Sequence, residues 1–225
     1  MINDDIPSDK DPEEEIPGLY VPQQGRSHRA MSRVLTHFNR LLKQKDFGDI
    51  QMSAVSKASG VGVGTIYFRF SSKEYLLIAL AEKIIREDIE PSYQEFFLPD
   101  SIEKKTLEEF LFAYFKAAST VFNNYRYLLK PLTLISRETS DKKIPKFVER
   151  MNTNIQQKLS KMIMTLARRS NTAVTEKSVE FAILWAGASL REAFLYKEPA
   201  SDLMQQEDQS FLIELSKALT RYLEA

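Results

Sequence analysis

The chain has 225 residues, of which 43% are apolar and 28% charged, a composition typical of a soluble globular protein with one large or two small domains. It contains no Cys and only two His, which excludes disulfides, thiolate catalysis and metal clusters built from Cys or His. The formal net charge of +0 at pH 7 hides an acidic N-terminal segment and a basic segment that follows it.

The first 22 residues carry seven acidic residues against Lys10 alone, and Pro recurs at positions 7, 12, 17 and 22. This composition predicts a disordered acidic tail, because it offers little to bury and Pro blocks regular structure. The segment is too acidic for a secretory signal. Two interpretations stay open: a solubilising leader, or a segment that competes with DNA for the basic residues beyond it.

Residues 23–75 carry nine basic and three acidic residues. A basic block of this kind, on a chain that is otherwise balanced, is expected for a protein with a polyanionic partner such as nucleic acid. Charge alone leaves a second interpretation open, namely a solvated surface with a chance excess of cations.

Helices are predicted at residues 27–45, 52–59, 63–68 and 73–97 of the N-terminal part. Ala30, Val34, Phe38 and Leu41 recur at helical spacing in the first of them. Gly60 can adopt the left-handed conformation that ends the second. Two short helices joined by a Gly-containing turn, followed by a third helix, are the pattern of a helix-turn-helix, whose second helix enters the DNA major groove.

The second half predicts helices opened by a capping box at residues 100–103 and extending to about 122, then at 125–138, 145–169, 175–196 and 206–224. Pro131 is expected to kink the second of these, and Thr175 to cap the fourth. No alternating run of strand length stands out, so the predicted fold class is all-α.

The run from Val55 to Leu76 closely resembles the signature of the TetR family of transcriptional regulators. The core Gly60-Val61-x-x-Gly64-Thr65-x-Tyr67-x-x-Phe70-x-x-Lys73-Glu74 is matched without a gap. The resemblance implies a helix-turn-helix DNA-binding domain at residues 23–75 and a helical ligand-binding and dimerisation domain at residues 76–225. It further implies a homodimeric repressor that binds a palindromic operator in double-stranded DNA and responds to a small molecule.

The resemblance also implies roles for single residues on and after the recognition helix. Val63, Gly64, Thr65 and Phe68 would face base edges, whereas Tyr67 and Lys73 would hold phosphates. For Arg69 a DNA contact and a plain surface position both stay open. The chain departs from the family pattern with Gln51 in place of Thr, Gly62 in place of Ser and Phe68-Arg69 in place of His or Tyr, which leaves the operator sequence open.

In the second domain the resemblance implies that the last two helices form a four-helix bundle with a twin subunit. The apolar run at residues 181–190 predicts a helix buried on several sides. Candidate walls of an effector pocket are the aromatic and Met residues Phe110, Tyr114, Phe115, Phe122, Tyr125, Tyr127, Met151, Met162 and Trp185. They point to an apolar or aromatic effector, although such residues also build ordinary cores. Arg126, Arg137 and Arg191 could anchor an acidic group or form surface salt bridges.

Other functions find less support in the sequence. An enzyme is not expected, because the chain has no Cys, its two His lie in the predicted DNA-binding region, and no metal-ligand spacing or nucleotide-binding motif is present. The sequence gives no reason to expect a metal or cofactor, predicts no membrane partner, and is consistent with a cytoplasmic location. The alternative that stays open is a nucleoid-associated DNA-binding protein of the same fold without a role in transcription.

Overall fold

The computed structural model describes residues 25–170, 173–196 and 209–225. All regular elements in these ranges are helical, which confirms the predicted all-α fold. The predicted acidic tail lies outside the described residues. The chain divides into two compact units, Met1–Leu80 and Ala81–Ala225. The functional assignment of residues 23–75 and 76–225 stays a prediction, because compactness alone does not test it.

The N-terminal unit is built from helices α1 (Gly25–Leu42), α2 (Met52–Ser59) and α3 (Val63–Phe70), and a 3-10 turn (Phe47–Asp49) precedes α2. Its core is apolar and closely packed. Phe38, Val55, Ile66 and Phe70 are each at most 1% exposed. Because these side chains come from three different helices, their burial fixes how α2 and α3 lie against α1.

A long helical path begins with α4 (Lys73–Ile84), continues through a π-helical segment (Ile85–Ile89) and α5 (Glu90–Tyr93), and ends in a 3-10 turn (Gln94–Phe97). The predicted range of 73–97 is therefore helical throughout, but it is not one regular α-helix. Pro91 lacks the N–H that would bond to the carbonyl of Glu87 in an α-helix, which accounts for a change of hydrogen-bond pattern there.

The C-terminal unit contains α6 (Leu107–Asn124), α7 (Arg126–Glu138), α8 (Lys143–Ser170), α9 (Glu176–Leu190) and α10 (Ser210–Glu224). A second π-helical segment (Arg191–Tyr196) continues α9. Helix α10 packs against α6 and α9, and α8 packs against α7 and α9. The buried side chains include Phe110, Leu128, Ile163, Val179 and Leu219, one from each of five helices.

The predicted start of α6 is wrong. Residues Pro99–Ile102 form a 3-10 turn, and the helix begins at Leu107 after a capping box made by Thr106 and Glu109. The Thr106 hydroxyl accepts a hydrogen bond from the Glu109 N–H at 3.2 Å, and the Glu109 carboxylate accepts one from the Thr106 N–H at 2.8 Å. This arrangement lowers the pKa of Glu109, because its carboxylate accepts hydrogen bonds from the Thr106 backbone and side chain.

The cap predicted at the start of α9 is confirmed, since the Thr175 hydroxyl accepts a hydrogen bond from the Ser178 N–H at 3.2 Å. Pro131 lies inside α7, where the sequence placed it. No helix in the described part of the chain is both long enough and apolar enough to cross a lipid bilayer.

Candidate nucleic-acid interface

The turn between α2 and α3 is set by Gly60. Its φ of 66° and ψ of 25° are left-handed, and its N–H donates to the carbonyl of Ser56 at 2.9 Å. A side chain here would have open space around its Cβ, so the requirement for glycine is conformational rather than steric. The next residue, Val61, is 9% exposed and anchors the turn to the core.

Helix α3 has one buried and one exposed face. Ile66 and Phe70 are each 1% exposed, whereas Tyr67 is 44% and Phe68 is 68% exposed. Gly64 and Thr65 are also exposed, and Val63 and Arg69 are half-buried. The residues predicted to face DNA therefore share the outer side of α3, with Val63 turned furthest toward the core.

The leading end of α3 lacks a side-chain cap. Gly62 occupies the N-cap position, and no side chain accepts a hydrogen bond there. The first N–H groups of a helix have no intrahelical acceptor, so they are available to an anion such as a DNA phosphate. Gly62 and Gly64 are both exposed and carry no side chain that would hold a ligand away from this backbone.

Lys73, predicted to hold a phosphate, is engaged within the protein. Its Nζ donates to the carbonyl oxygens of Phe47, Gly48 and Ile50 at 2.9, 3.3 and 3.2 Å. The ammonium also lies 4.4 Å from the centroid of the Phe47 ring. An ammonium has three donors, and all three are used here. Lys73 therefore fastens the segment before α2 to the start of α4, a role that the sequence analysis missed.

Several cations of the N-terminal unit are exposed. They include Arg29, Arg33 and Arg40 on α1, Lys45 after it and Lys57 on α2. One contact is recorded among them, between the Arg40 guanidinium and the His37 imidazole at 3.1 Å. Exposed Lys and Arg side chains are the groups that neutralise DNA phosphates.

In the C-terminal unit, three of the predicted pocket residues lie together. The Tyr114 ring lies 6.4 Å from Phe110 and 6.2 Å from Phe115 between centroids. Tyr93 and Phe96, which the sequence analysis did not select, join them at 5.6 and 6.0 Å from Tyr114. Burial raises the pKa of both Tyr93 and Tyr114, so their hydroxyls stay neutral and can act as donors.

The remaining predicted pocket residues differ in burial and in their recorded contacts. Tyr125 donates to the Asp88 carboxylate at 3.4 Å, and its pKa is raised, first by burial and then by that carboxylate. The others are half-buried, namely Phe122, Tyr127, Met151 and Met162. Trp185 lies elsewhere, 6.2 Å from Phe181 and 40% exposed. Whether any of these residues contacts an effector stays a prediction.

Helix α9 exposes an aromatic surface made of Phe181, Leu184 and Trp185, joined by Tyr222 of α10. Their exposed fractions are 51%, 64%, 40% and 41% in the same order. The Phe181 and Tyr222 rings lie 5.4 Å apart. The sequence predicts a helix buried on several sides, but in the described part of the chain the side of α9 that carries these residues is exposed. A contiguous apolar surface of this kind is typical of a protein interface.

Comparison with known proteins places this geometry in a family context. Residues 39–80 match the family described as bacterial regulatory proteins, tetR family. These residues include the end of α1, all of α2 and α3 and the start of α4, which is the helix-turn-helix described above. No curated protein matches the chain.

Solved structures resemble the chain over nearly all its length. FadR of Bacillus subtilis, a transcriptional regulator in complex with stearoyl-CoA, matches with a TM-score of 0.57 and 19% identity, covering 86% of this chain and 97% of that one. GusR of Salmonella enterica matches with a TM-score of 0.58 and 19% identity, covering 87% of this chain and 96% of that one. A TetR transcriptional regulator from Rhodococcus sp. RHA1 matches with a TM-score of 0.54 and 16% identity, covering 87% of this chain and 97% of that one. At these identities the likeness establishes the fold.

Proposed function

The chain belongs to the TetR family of bacterial regulatory proteins through its residues 39–80, and from this premise we propose that it is a ligand-responsive transcriptional repressor. It binds a palindromic operator as a homodimer. The observation that carries the proposal is the outer face of α3, where Gly64, Thr65, Tyr67 and Phe68 are exposed on a basic helix-turn-helix.

The exposed residues of α3 divide the work of DNA binding. Tyr67 donates its hydroxyl to a phosphate, and Phe68 and the Thr65 methyl contact thymine methyl groups in the major groove. Gly64 lets the helix backbone approach the bases. The uncapped N–H groups at Val63 and Gly64 receive a second phosphate, while the exposed cations of α1 and α2 supply affinity that does not depend on sequence.

Dimerisation occurs through the aromatic surface of α9. Two copies related by a two-fold axis bury Phe181, Leu184 and Trp185 against the same residues of the partner, because an interface of this symmetry is self-complementary. The two-fold axis then brings two α3 helices to two half-sites, which accounts for a palindromic operator.

The C-terminal unit is the sensor. The cluster of Tyr93, Phe96, Phe110, Tyr114 and Phe115 supplies apolar contact area, and the phenolic hydroxyls offer polar anchors for an effector. An effector that prefers the DNA-free state lowers operator affinity by linkage, and a coupling of about 1–3 kcal/mol corresponds to about 5–150-fold.

The test is a selection of genomic DNA fragments by the purified full-length protein at one stated salt concentration. We expect one or a few palindromic sites, and release of promoter activity when the gene is deleted. Enrichment of many dispersed sites, with no change in transcription, would replace the repressor with a nucleoid-associated protein. Failure to enrich any site would contradict sequence-specific binding altogether.

The salt dependence of binding is the second readout. Non-specific DNA should lose affinity steeply with rising salt, since that binding depends on phosphate contacts. The enriched operator should retain a preference over non-specific DNA at every salt concentration, because contacts of Thr65 and Phe68 to base edges are not screened in this way. A preference that vanishes at higher salt would contradict base recognition by α3.

A further inference from the structure

The π-helical end of α9 gathers three arginines around Tyr196. Arg126 donates through Nε to the carbonyl of Leu195 at 2.8 Å and through Nη2 to that of Tyr196 at 2.6 Å. These bonds satisfy two carbonyls at a helix end and fix the position of Tyr196 against α7. Arg126 is therefore a positioning residue for what lies beside it.

For the other two arginines, no carbonyl partner of this kind is found among the described residues. The Arg137 guanidinium carbon lies 5.8 Å from the centroid of the Tyr196 ring. The recorded ion pairs among the described residues involve neither Arg137 nor Arg191. Arg191 is half-buried, and its pKa is lowered by burial, with a further contribution from the like charge of Arg137. The half-buried guanidinium of Arg191 thus lies near the exposed guanidinium of Arg137, and neither has a counter-ion within the described residues.

Tyr196 adds an unsatisfied donor to this place. Its hydroxyl oxygen is buried, and it has no hydrogen-bond partner among the described residues. A buried hydroxyl without a hydrogen-bond partner is destabilising, so such a group calls for an explanation. A phenol can also donate a hydrogen bond to an anion.

Gly187 makes room for the Arg191 side chain. A Cβ at position 187 would lie 3.1 Å from Nη1 of Arg191, closer than nearly all real contacts of this type. The guanidinium therefore lies against the helix one turn earlier, where a Cβ at position 187 would require it to shift by a few tenths of an ångström. This holds the charge beside Arg137 and Tyr196 rather than leaving it to extend into solvent.

We propose that Arg137, Arg191 and Tyr196 form an anion subsite in the sensor unit, which binds the carboxylate or phosphate group of the effector. The inference rests on the proposed sensor function of this unit. Two guanidinium groups and a phenol present converging donors to one oxyanion, and the anion supplies the missing counter-charge. The buried side chains of Phe194 and Leu195 on the same segment favour a ligand whose charged group is joined to an apolar body.

The experiment measures binding of three eight-carbon probes to the full-length protein by calorimetry and by the shift in melting temperature. Octanoate and octyl phosphate carry the two anionic groups, and 1-octanol is the neutral match. We expect at least one anion to bind and to raise the melting temperature, and 1-octanol to do neither. The proposal is overturned if neither anion binds at about 10 mM, or if 1-octanol binds as well as both. A preference between the two anions identifies the group as carboxylate or phosphate.

Variants locate the binding. Arg191→Gln and Arg137→Gln should each weaken the bound anion by about tenfold or more, since each removes a charge-assisted hydrogen bond. Arg168→Gln, which changes an exposed arginine at the end of α8, is the control and should bind as the unaltered protein does. Equal affinity of Arg191→Gln and Arg168→Gln would overturn the assignment.

Two milder variants keep the test decisive if Arg191→Gln fails to fold. Gly187→Ala retains every charge but displaces the Arg191 guanidinium, and Tyr196→Phe removes only the hydroxyl. Both variants should bind the anion several-fold more weakly than the unaltered protein does. Unchanged binding in both variants would contradict the geometry proposed for the subsite.

The DNA readout separates the two proposals. If the anion binds but the protein stays bound to operator DNA, the anion subsite is supported and its role in the response to the effector is contradicted. If operator DNA is released by a neutral molecule and no anion binds, the repressor stands and the subsite fails. Release of operator DNA by octanoate or octyl phosphate, but not from the Arg191→Gln variant, supports both.

Discussion

Helix α3 in the N-terminal unit and helix α9 in the C-terminal unit both expose large aromatic side chains. On α3, Phe68 is 68% exposed, and the surrounding sequence from 23 to 75 carries a threefold excess of basic over acidic residues. On α9, Leu184 is 64% exposed among Phe181 and Trp185. Similar exposure therefore indicates two different partners. The basic surroundings of Phe68 favour binding of a polyanion, whereas the apolar surface of α9 favours binding of a second copy of the chain.

The two regions also use cations differently inside the fold. In the N-terminal unit, the Lys73 ammonium donates its three hydrogen bonds to three backbone carbonyls. In the C-terminal unit Arg169 also binds backbone carbonyls, since its Nη1 donates to the Ile102 oxygen at 2.9 Å and to the Lys105 oxygen at 3.1 Å. Arg137 and Arg191 have no comparable partners among the described residues. A basic residue in a sequence thus indicates a ligand only when the fold leaves its donors unused.

The largest expected effect comes from Leu184→Arg. A guanidinium at the centre of the proposed dimer interface would be buried without a partner, so the protein should become monomeric by sedimentation. Operator affinity should then fall by about 100-fold or more, because the two half-sites are no longer bound together. Gln157→Arg, on the exposed side of α8, is the control. If the Leu184→Arg protein remained dimeric, the proposal that α9 forms the dimer interface would be contradicted.

Lys73→Met tests whether this lysine supports the fold or binds phosphate. Loss of three hydrogen bonds from a charged donor should lower the free energy of unfolding by about 2 kcal/mol, measured in urea. Lys57→Met, at an exposed position of α2, should leave it unchanged. If Lys73 instead held a phosphate, the slope of log K against log salt would fall by about one, with little change in stability.

Tyr67→Phe and Phe68→Ala separate phosphate from base contacts on α3. Tyr67→Phe should lower the affinity for all DNA sequences alike by about fivefold, as expected for one lost hydrogen bond. Phe68→Ala should weaken the operator by a similar factor but leave non-specific DNA unaffected. The pattern is read from competition binding at constant salt. A uniform loss in Phe68→Ala would show that this exposed ring does not read sequence.

The smallest effect is expected for Gly62→Ser. A Ser at the N-cap can accept a hydrogen bond from an N–H of α3, and the nearest side-chain atom to its Cβ would be the Thr65 Oγ1 at 3.9 Å. Stability in urea should rise by a few tenths of a kcal/mol. Gly60→Ala is the contrasting change and should lower it by about 1 kcal/mol, because Gly60 has a φ of 66°.

Much of the N-terminal unit follows from local sequence. The spacing of Val55, Ile66 and Phe70 and the Gly60 turn predict α2 and α3 to within two residues, because short-range periodicity and one left-handed residue specify them. The outward positions of Gly64, Thr65, Tyr67 and Phe68 are implied by the resemblance to the family signature, and all four are exposed. Their contacts with DNA remain predictions, since the fold alone places them on the surface without a ligand.

What the sequence could not determine are contacts between distant residues. The sequence analysis places the capping box of α6 at residues 100–103, but Pro99–Ile102 forms a 3-10 turn and Thr106 caps the helix. Lys73 reaches Phe47 across 26 positions, and Arg126 reaches Leu195 across 69. Local patterns fix which residues are helical, because helix hydrogen bonds and side-chain periodicity span a few residues. Which donors are consumed within the fold and which remain for a partner depends on tertiary packing.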